Sequence, residues 1–123
     1  MIVLIDSWAW IEYIKGSDAG KKVEALLQHE EILTSSMNIA EVYKKLLADM
    51  PKEANQIITA VLTSGFPIPV DTEIAMHAAK LKHEKKIGMA DAIVLATARM
   101  HKAKVVTGDD DFKHEPDVIY LGR

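Results

Sequence analysis

Four apolar residues, Ile2, Val3, Leu4 and Ile5, run straight into Asp6 and Ser7. A continuous, mostly β-branched run of this kind reads as a strand buried on both faces of a parallel sheet, here delivering a carboxylate to its carboxyl edge. Similar short runs recur at Glu31 to Thr34, Lys104 to Thr107 and Val118 to Leu121, and Pro67 to Val70 has the character of an edge strand.

Between these runs the apolar period turns helical. Ser7 is placed to cap a short helix with Trp10, Ile11 and Ile14 on one side and Gly16 at its end, while Trp8 and Tyr13 fall off that stripe. Ala19, Val23, Leu26 and Leu27 define a second helix. Ile39, Val42, Tyr43, Leu46 and Leu47 define a third, from Asn38 to Pro51. Pro51 suits the first turn of a fourth, with Ala54, Ile57, Ile58, Val61 and Leu62 inside and Ser64-Gly65 at its end. Asp71 or Thr72 caps a fifth carrying Ile74, Ala78 and Leu81 and stopped by Gly88, and Met89 to Lys102 is the sixth. Strands separated by helices imply an α/β fold of three layers, α/β/α, with a mainly parallel central sheet of four to five strands.

A length of 123 residues fits one domain, 1–123, with a single core. The lack of cysteine excludes a disulfide scaffold and thiolate metal sites. No basic region precedes the apolar N-terminus as in a secretory signal, so the expected location is cytoplasmic. No apolar run approaches the roughly 20 residues of a membrane span, so no membrane partner is expected. With 18 Asp plus Glu against 15 Lys plus Arg, the chain is only mildly acidic.

What changes the picture is where the acids fall. Asp6 ends a strand, Glu41 and Asp91 sit in first turns of helices, and Asp109 follows the strand ending at Thr107. Each has a purely structural alternative. Asn38-Ile39-Ala40-Glu41 has the form of a capping box, Asp91 gains from a helix macrodipole, and Asp109 to Asp111 suit an Asx turn. Asp6 is harder to explain that way, because a strand end calls for no carboxylate and the carboxyl edge of an open α/β sheet is where ligands bind. Asp91 is followed by Val94, Leu95 and Ala98 on its own face, and a carboxylate on an apolar face needs a partner.

Taken together, the strand-Asp6-Ser7 start, the helix-borne Glu41, the stretch Gly88-Met-Ala-Asp91-Ala-Ile-Val-Leu-Ala-Thr-Ala98 and the stretch Val105-Val-Thr-Gly-Asp109-Asp-Asp111-Phe112 resemble the PIN domain family of nucleases, over essentially the whole chain. Within that family the resemblance is to the small VapC-type toxins of prokaryotic toxin–antitoxin pairs. It implies a metal-dependent endoribonuclease that hydrolyses RNA phosphodiesters with a metal-activated water. Asp6, Glu41, Asp91 and Asp109 would be the catalytic acids, with Asp6, Asp91 and Asp109 on Mg²⁺ or Mn²⁺ and Glu41 orienting water or taking up a proton. Asp111 would be an outer member, and Ser7, Asn38 and Thr107 would supply hydrogen bonds. The adjacent Asp110 leaves open which acid of the triplet points inward. Independent physics agrees, since carboxylates a few ångströms apart cannot all stay ionised without a cation, and a hard divalent ion takes oxygen ligands. The resemblance also implies a homodimer and a small antitoxin partner. Trp8, Trp10, Tyr13 and Tyr43 are the aromatic surface available for an interface.

Setting aside the four candidate acids moves the formal charge from −3 to +1. Lys80, Lys82, Lys85, Lys86 and Arg99 are then the candidate contacts to RNA phosphates, against the alternative of a solvated helix face. The five histidines show no ligand spacing. A phosphoacceptor receiver domain is excluded on spacing, because Asp6 is followed by Ser7 and Trp8 rather than by paired acids. The remaining alternative is a noncatalytic RNA-binding or regulatory module on the same fold.

Overall fold

The computed structural model describes residues 1–122. Five strands, β1 (Ile2–Ile5), β2 (Glu31–Ser35), β3 (Phe66–Ile68), β4 (Lys104–Thr107) and β5 (Val118–Tyr120), form one sheet in the order β3-β2-β1-β4-β5. All four neighbouring pairs are parallel, with Leu4 opposite both Leu33 and Val105. Six helices connect them: α1 (Ser7–Lys15), α2 (Asp18–His29), α3 (Ser36–Asp49), α4 (Ala54–Ser64), α5 (Thr72–Glu84) and α6 (Met89–Met100).

The strand period of two separates two cores. Val3, Ile5, Ile32 and Val106 pack with residues of α1 to α4 on one face, whereas Leu4, Leu33, Ile68 and Val105 pack with α5 and α6 on the other. This is the three-layer arrangement the alternating periods predict. Ala92 to Ala98 of α6 are all buried, which is why that helix carries apolar residues around its whole circumference. No helix among the described residues is long and apolar enough to cross a membrane.

Local differences from the sequence expectation have identifiable causes. Asp6, not Ser7, caps α1, its Oδ1 accepting the Ala9 N–H at 2.9 Å. Ser35 caps α3, so this helix starts at Ser36 and the expected capping box does not form; Asn38 is buried within it, and its amide donates to Glu41 Oε1 at 3.2 Å. α4 begins at Ala54, with Pro51 in the turn before it. β3 starts one residue before Pro67 and ends at Ile68, where the chain leaves the sheet and the Val70 N–H bonds to Ser36 Oγ. Gly88 does not stop α5, which ends at Glu84, but precedes α6 as its N-cap. Trp10 is fully buried and donates to Thr34 Oγ1 at 3.1 Å, so it leaves the set of expected surface aromatics.

α2 packs against the α1 backbone at Gly20, where a Cβ would lie 2.1 Å from the Glu12 carbonyl oxygen. Because the obstruction is backbone, no rotamer relieves it. Gly20→Ala is expected to lower unfolding free energy by about 1–3 kcal/mol, read as a shift of the urea midpoint at unchanged slope.

Candidate functional site

The strand order reverses between β1 and β4, since β2 and β3 extend the sheet on one side and β5 on the other. A crevice opens at the carboxyl ends of strands at such a reversal. Asp6 reaches it directly, one residue past β1, with its N–H bonded to the Val106 carbonyl of β4. Asp91 comes from the first turn of α6, Glu41 from the exposed side of α3, and Asp109 and Asp111 from the connection after β4.

Thr107 shapes that connection. Its Oγ1 accepts the Asp109 N–H at 3.0 Å, and Asp109 Oδ1 in turn accepts the Asp111 N–H at 2.9 Å, closing an Asx turn at the start of a single 3₁₀ turn, Asp110–Phe112. Phe112 is buried and anchors the turn in the core. Asp110 is not in the acidic cluster; its carboxylate accepts a hydrogen bond from the Tyr120 hydroxyl. The triplet thus resolves into Asp109 and Asp111 within the cluster and Asp110 outside it. The structural Asx turn and a functional role are not exclusive here, because one carboxylate has oxygens for both.

Carboxylate oxygens of Asp91, Asp109 and Asp111 all lie within 4.8 Å of one another. Asp6 is 5% exposed and lies beside them. Its pKa is pushed from 3.8 up to about 7, chiefly by burial and further by the charges of Asp109 and Asp91, against hydrogen bonds from Thr107 and the Ala9 N–H. Asp91 is also pushed from 3.8 to about 7, first by burial, then by the charges of Asp109, Asp111 and Glu41 and by a hydrogen bond with Asp109 that favours its protonated form. These oxygens suit a hard divalent cation: all are carboxylate donors, and two of the acids are held in an environment that penalises their charge unless a cation offsets it. Asn38 adds a buried Oδ1 with no partner among the described residues.

The other expected residues fall as follows. Ser7 is half-buried at the start of α1, next to Asp6. Lys80, Lys82 and Lys86 are exposed on and just after α5. Lys85 and Arg99 converge instead on Glu115, at 3.1 and 2.8 Å, and Arg99 also meets Asp117 at 3.4 Å. They tie the 108–117 connection to the helical layer, which competes with contact to RNA phosphates. The sequence reading passed over Lys44 and Lys45, which lie on α3 at i+3 and i+4 from Glu41, a spacing that places them one turn along the same face.

A doubly wound parallel sheet with an acidic cluster at its reversal defines the class. The sequence profile of the PIN domain family matches residues 3–116, and the chain belongs to that family. Among solved structures it is similar to a toxin–antitoxin complex from Klebsiella pneumoniae, with a TM-score of 0.83 and 26% identity over 97% of both chains. It also shares its fold with VapBC2 from Rickettsia felis bound to a promoter DNA fragment (TM-score 0.78, 22% identity, 98% of this chain and 97% of that one). A third likeness is to Mycobacterium tuberculosis VapC20, described as a sarcin-ricin loop cleaving toxin (TM-score 0.74, 18% identity, 96% and 97%). No curated protein sequence matches the chain.

Proposed function

We propose that this chain is a Mg²⁺- or Mn²⁺-dependent endoribonuclease and the VapC-type toxin of a toxin–antitoxin pair. The observation that carries the reading is the convergence of Asp91, Asp109 and Asp111 within 4.8 Å at the sheet reversal, with buried Asp6 beside them. Asp91, Asp109 and Asp111 would hold the ion, with Asp6 as a further oxygen donor. When bound, such an ion supplies Lewis-acid polarisation of a phosphoryl oxygen and activates water. The chain's own residues orient the rest. Glu41, held by the Asn38 amide, is placed to position a water or take up its proton. Thr107 fixes both the Asp109 backbone and the Asp6 carboxylate, and Ser7 offers a hydroxyl at the rim. Lys80, Lys82 and Lys86 add basic surface for RNA.

A small antitoxin partner follows from the toxin–antitoxin complexes among its structural relatives. We place the protein in the cytoplasm as a homodimer in which 1–123 form one nuclease domain.

The test is incubation of the purified protein, free of any inhibitor, with total cellular RNA in Mg²⁺, Mn²⁺ or EDTA. Discrete products in either metal and none in EDTA are expected. Intact RNA in all three, with Mg²⁺ binding demonstrated by calorimetry, would overturn the nuclease reading in favour of a noncatalytic module.

A further inference from the structure

A concave strip leads away from the acids between α1 and α3. It is lined first by Ser7, Trp8, Ile11, Glu41 and Lys45, and continues past Glu41 along Lys44, Lys45 and Ala48. Its inner end abuts the cluster: Ser7 follows Asp6, and the charge of Glu41 is felt at Asp91. Trp8 sits where the strip meets β4. Its six-membered ring packs on Gly108, where a Cβ would stand 2.4 Å from the ring atoms Cε2 and Cζ2. Only glycine admits the indole there, and Gly108 directly precedes Asp109. Unlike Trp10, which is sealed in the core, Trp8 is half-buried and presents part of its surface to the recess.

From these contacts we infer that the recess is a nucleobase subsite, in which an unpaired base next to the cleaved phosphodiester stacks on Trp8 beside Ile11 and the adjoining backbone phosphate is met by Lys44 and Lys45. The inference rests on the nuclease reading and deepens it. An aromatic face accepts any base, and stacking of this kind contributes without demanding a sequence. Lys45 is paired with Asp49 at 2.9 Å, but both side chains are more than half exposed, at 55% and 54%, so a phosphate can take its place at little cost. Lys44 is exposed on the same turn. Two ammonium groups, an aromatic face and a neighbouring metal-type acid cluster suit a single-stranded polyanion better than they suit an acidic protein tail, which would bring charge but no base to stack.

The test combines titration with single-stranded RNA hexamers (oligo-A and oligo-U) in EDTA, read by tryptophan fluorescence, with cleavage kinetics in Mg²⁺. A saturable quench is expected from Trp8, because Trp10 is out of reach. Trp8→Leu removes the quench, weakens binding and raises KM on the order of tenfold with little change in kcat, and Trp8→Phe restores most of the affinity. Lys44→Glu on the open surface weakens binding without shifting Tm, so the subsite is tested even if Trp8→Leu folds poorly. Cleavage with unchanged KM and affinity in both variants overturns the subsite while leaving the nuclease reading intact. Failure of the wild type to cut any RNA overturns the nuclease reading through its own control. Loss in Trp8→Leu of binding to a protein partner, with RNA binding retained, assigns the recess to that protein and overturns the inference.

Discussion

Asp91→Asn is expected to abolish metal-dependent RNA cleavage, by on the order of 10³-fold or more, while raising the stability of the metal-free protein at pH 8. The two effects share one cause. Asn keeps the shape and the ability to hydrogen-bond Asp109 but removes a charge that burial and the neighbouring Asp109, Asp111 and Glu41 all oppose. It also turns one of three carboxylates grouped within 4.8 Å into a neutral amide, so an ion held there loses a charged donor. The gain in stability is modest, about 1 kcal/mol, because Asp91 is half-exposed and solvent screens its repulsion. The opposite signs separate function from structure. If Asp91 served only the dipole of α6, Asn would cost stability and leave cleavage, measured on a labelled RNA, unchanged. Rising Tm in EDTA with lost cleavage in Mg²⁺ is the outcome expected here.

Much of this arrangement was legible in the chain because it rests on local rules. The buried run Ile2 to Ile5 and the alternating helical and strand periods were enough for the three layers, and an acid at the end of β1 pointed to the carboxyl edge. Local rules ran out where two candidates compete for one backbone group. Ser7 and Asp6 both suit the cap of α1, and position relative to β4 decides for Asp6, whose N–H is already bonded to Val106. Ser35 outcompetes the Asn38 capping box in the same way, and the displaced Asn38 turns to Glu41 instead. The inward acids of the Asp109 to Asp111 triplet were unreadable because Tyr120, on the next strand, selects Asp110. Lys85 and Arg99 looked available to RNA because their partner, Glu115, lies 30 and 16 positions away and only the fold brings it to them. Long-range charge pairing leaves no periodic trace.

Metal-free protein is expected to lose stability as pH rises, the reverse of the usual carboxylate behaviour. Asp6 and Asp91 titrate near 7 in the folded state against 3.8 for the ordinary group. Between those values the folded chain holds more protons than the unfolded one, so unfolding free energy falls from about pH 4 to pH 7 and levels off above. For Asp6, 5% exposed, the loss is on the order of 4 kcal/mol across the window; Asp91 adds less, because water screens it. For a chain of this size that amounts to a Tm in EDTA lower by on the order of 10 °C at pH 8 than at pH 5. Mg²⁺ competes with these protons for the same oxygens, so its stabilising effect is expected to be large at pH 8 and small at pH 5. Thermal melts at both pH values, with EDTA and with Mg²⁺, check both parts. Asp6→Asn should flatten the EDTA slope. A Tm that is level or rising from pH 5 to pH 8 without metal would mean that the buried carboxylates find their compensation within the chain, and the cluster would then have no electrostatic need of a cation.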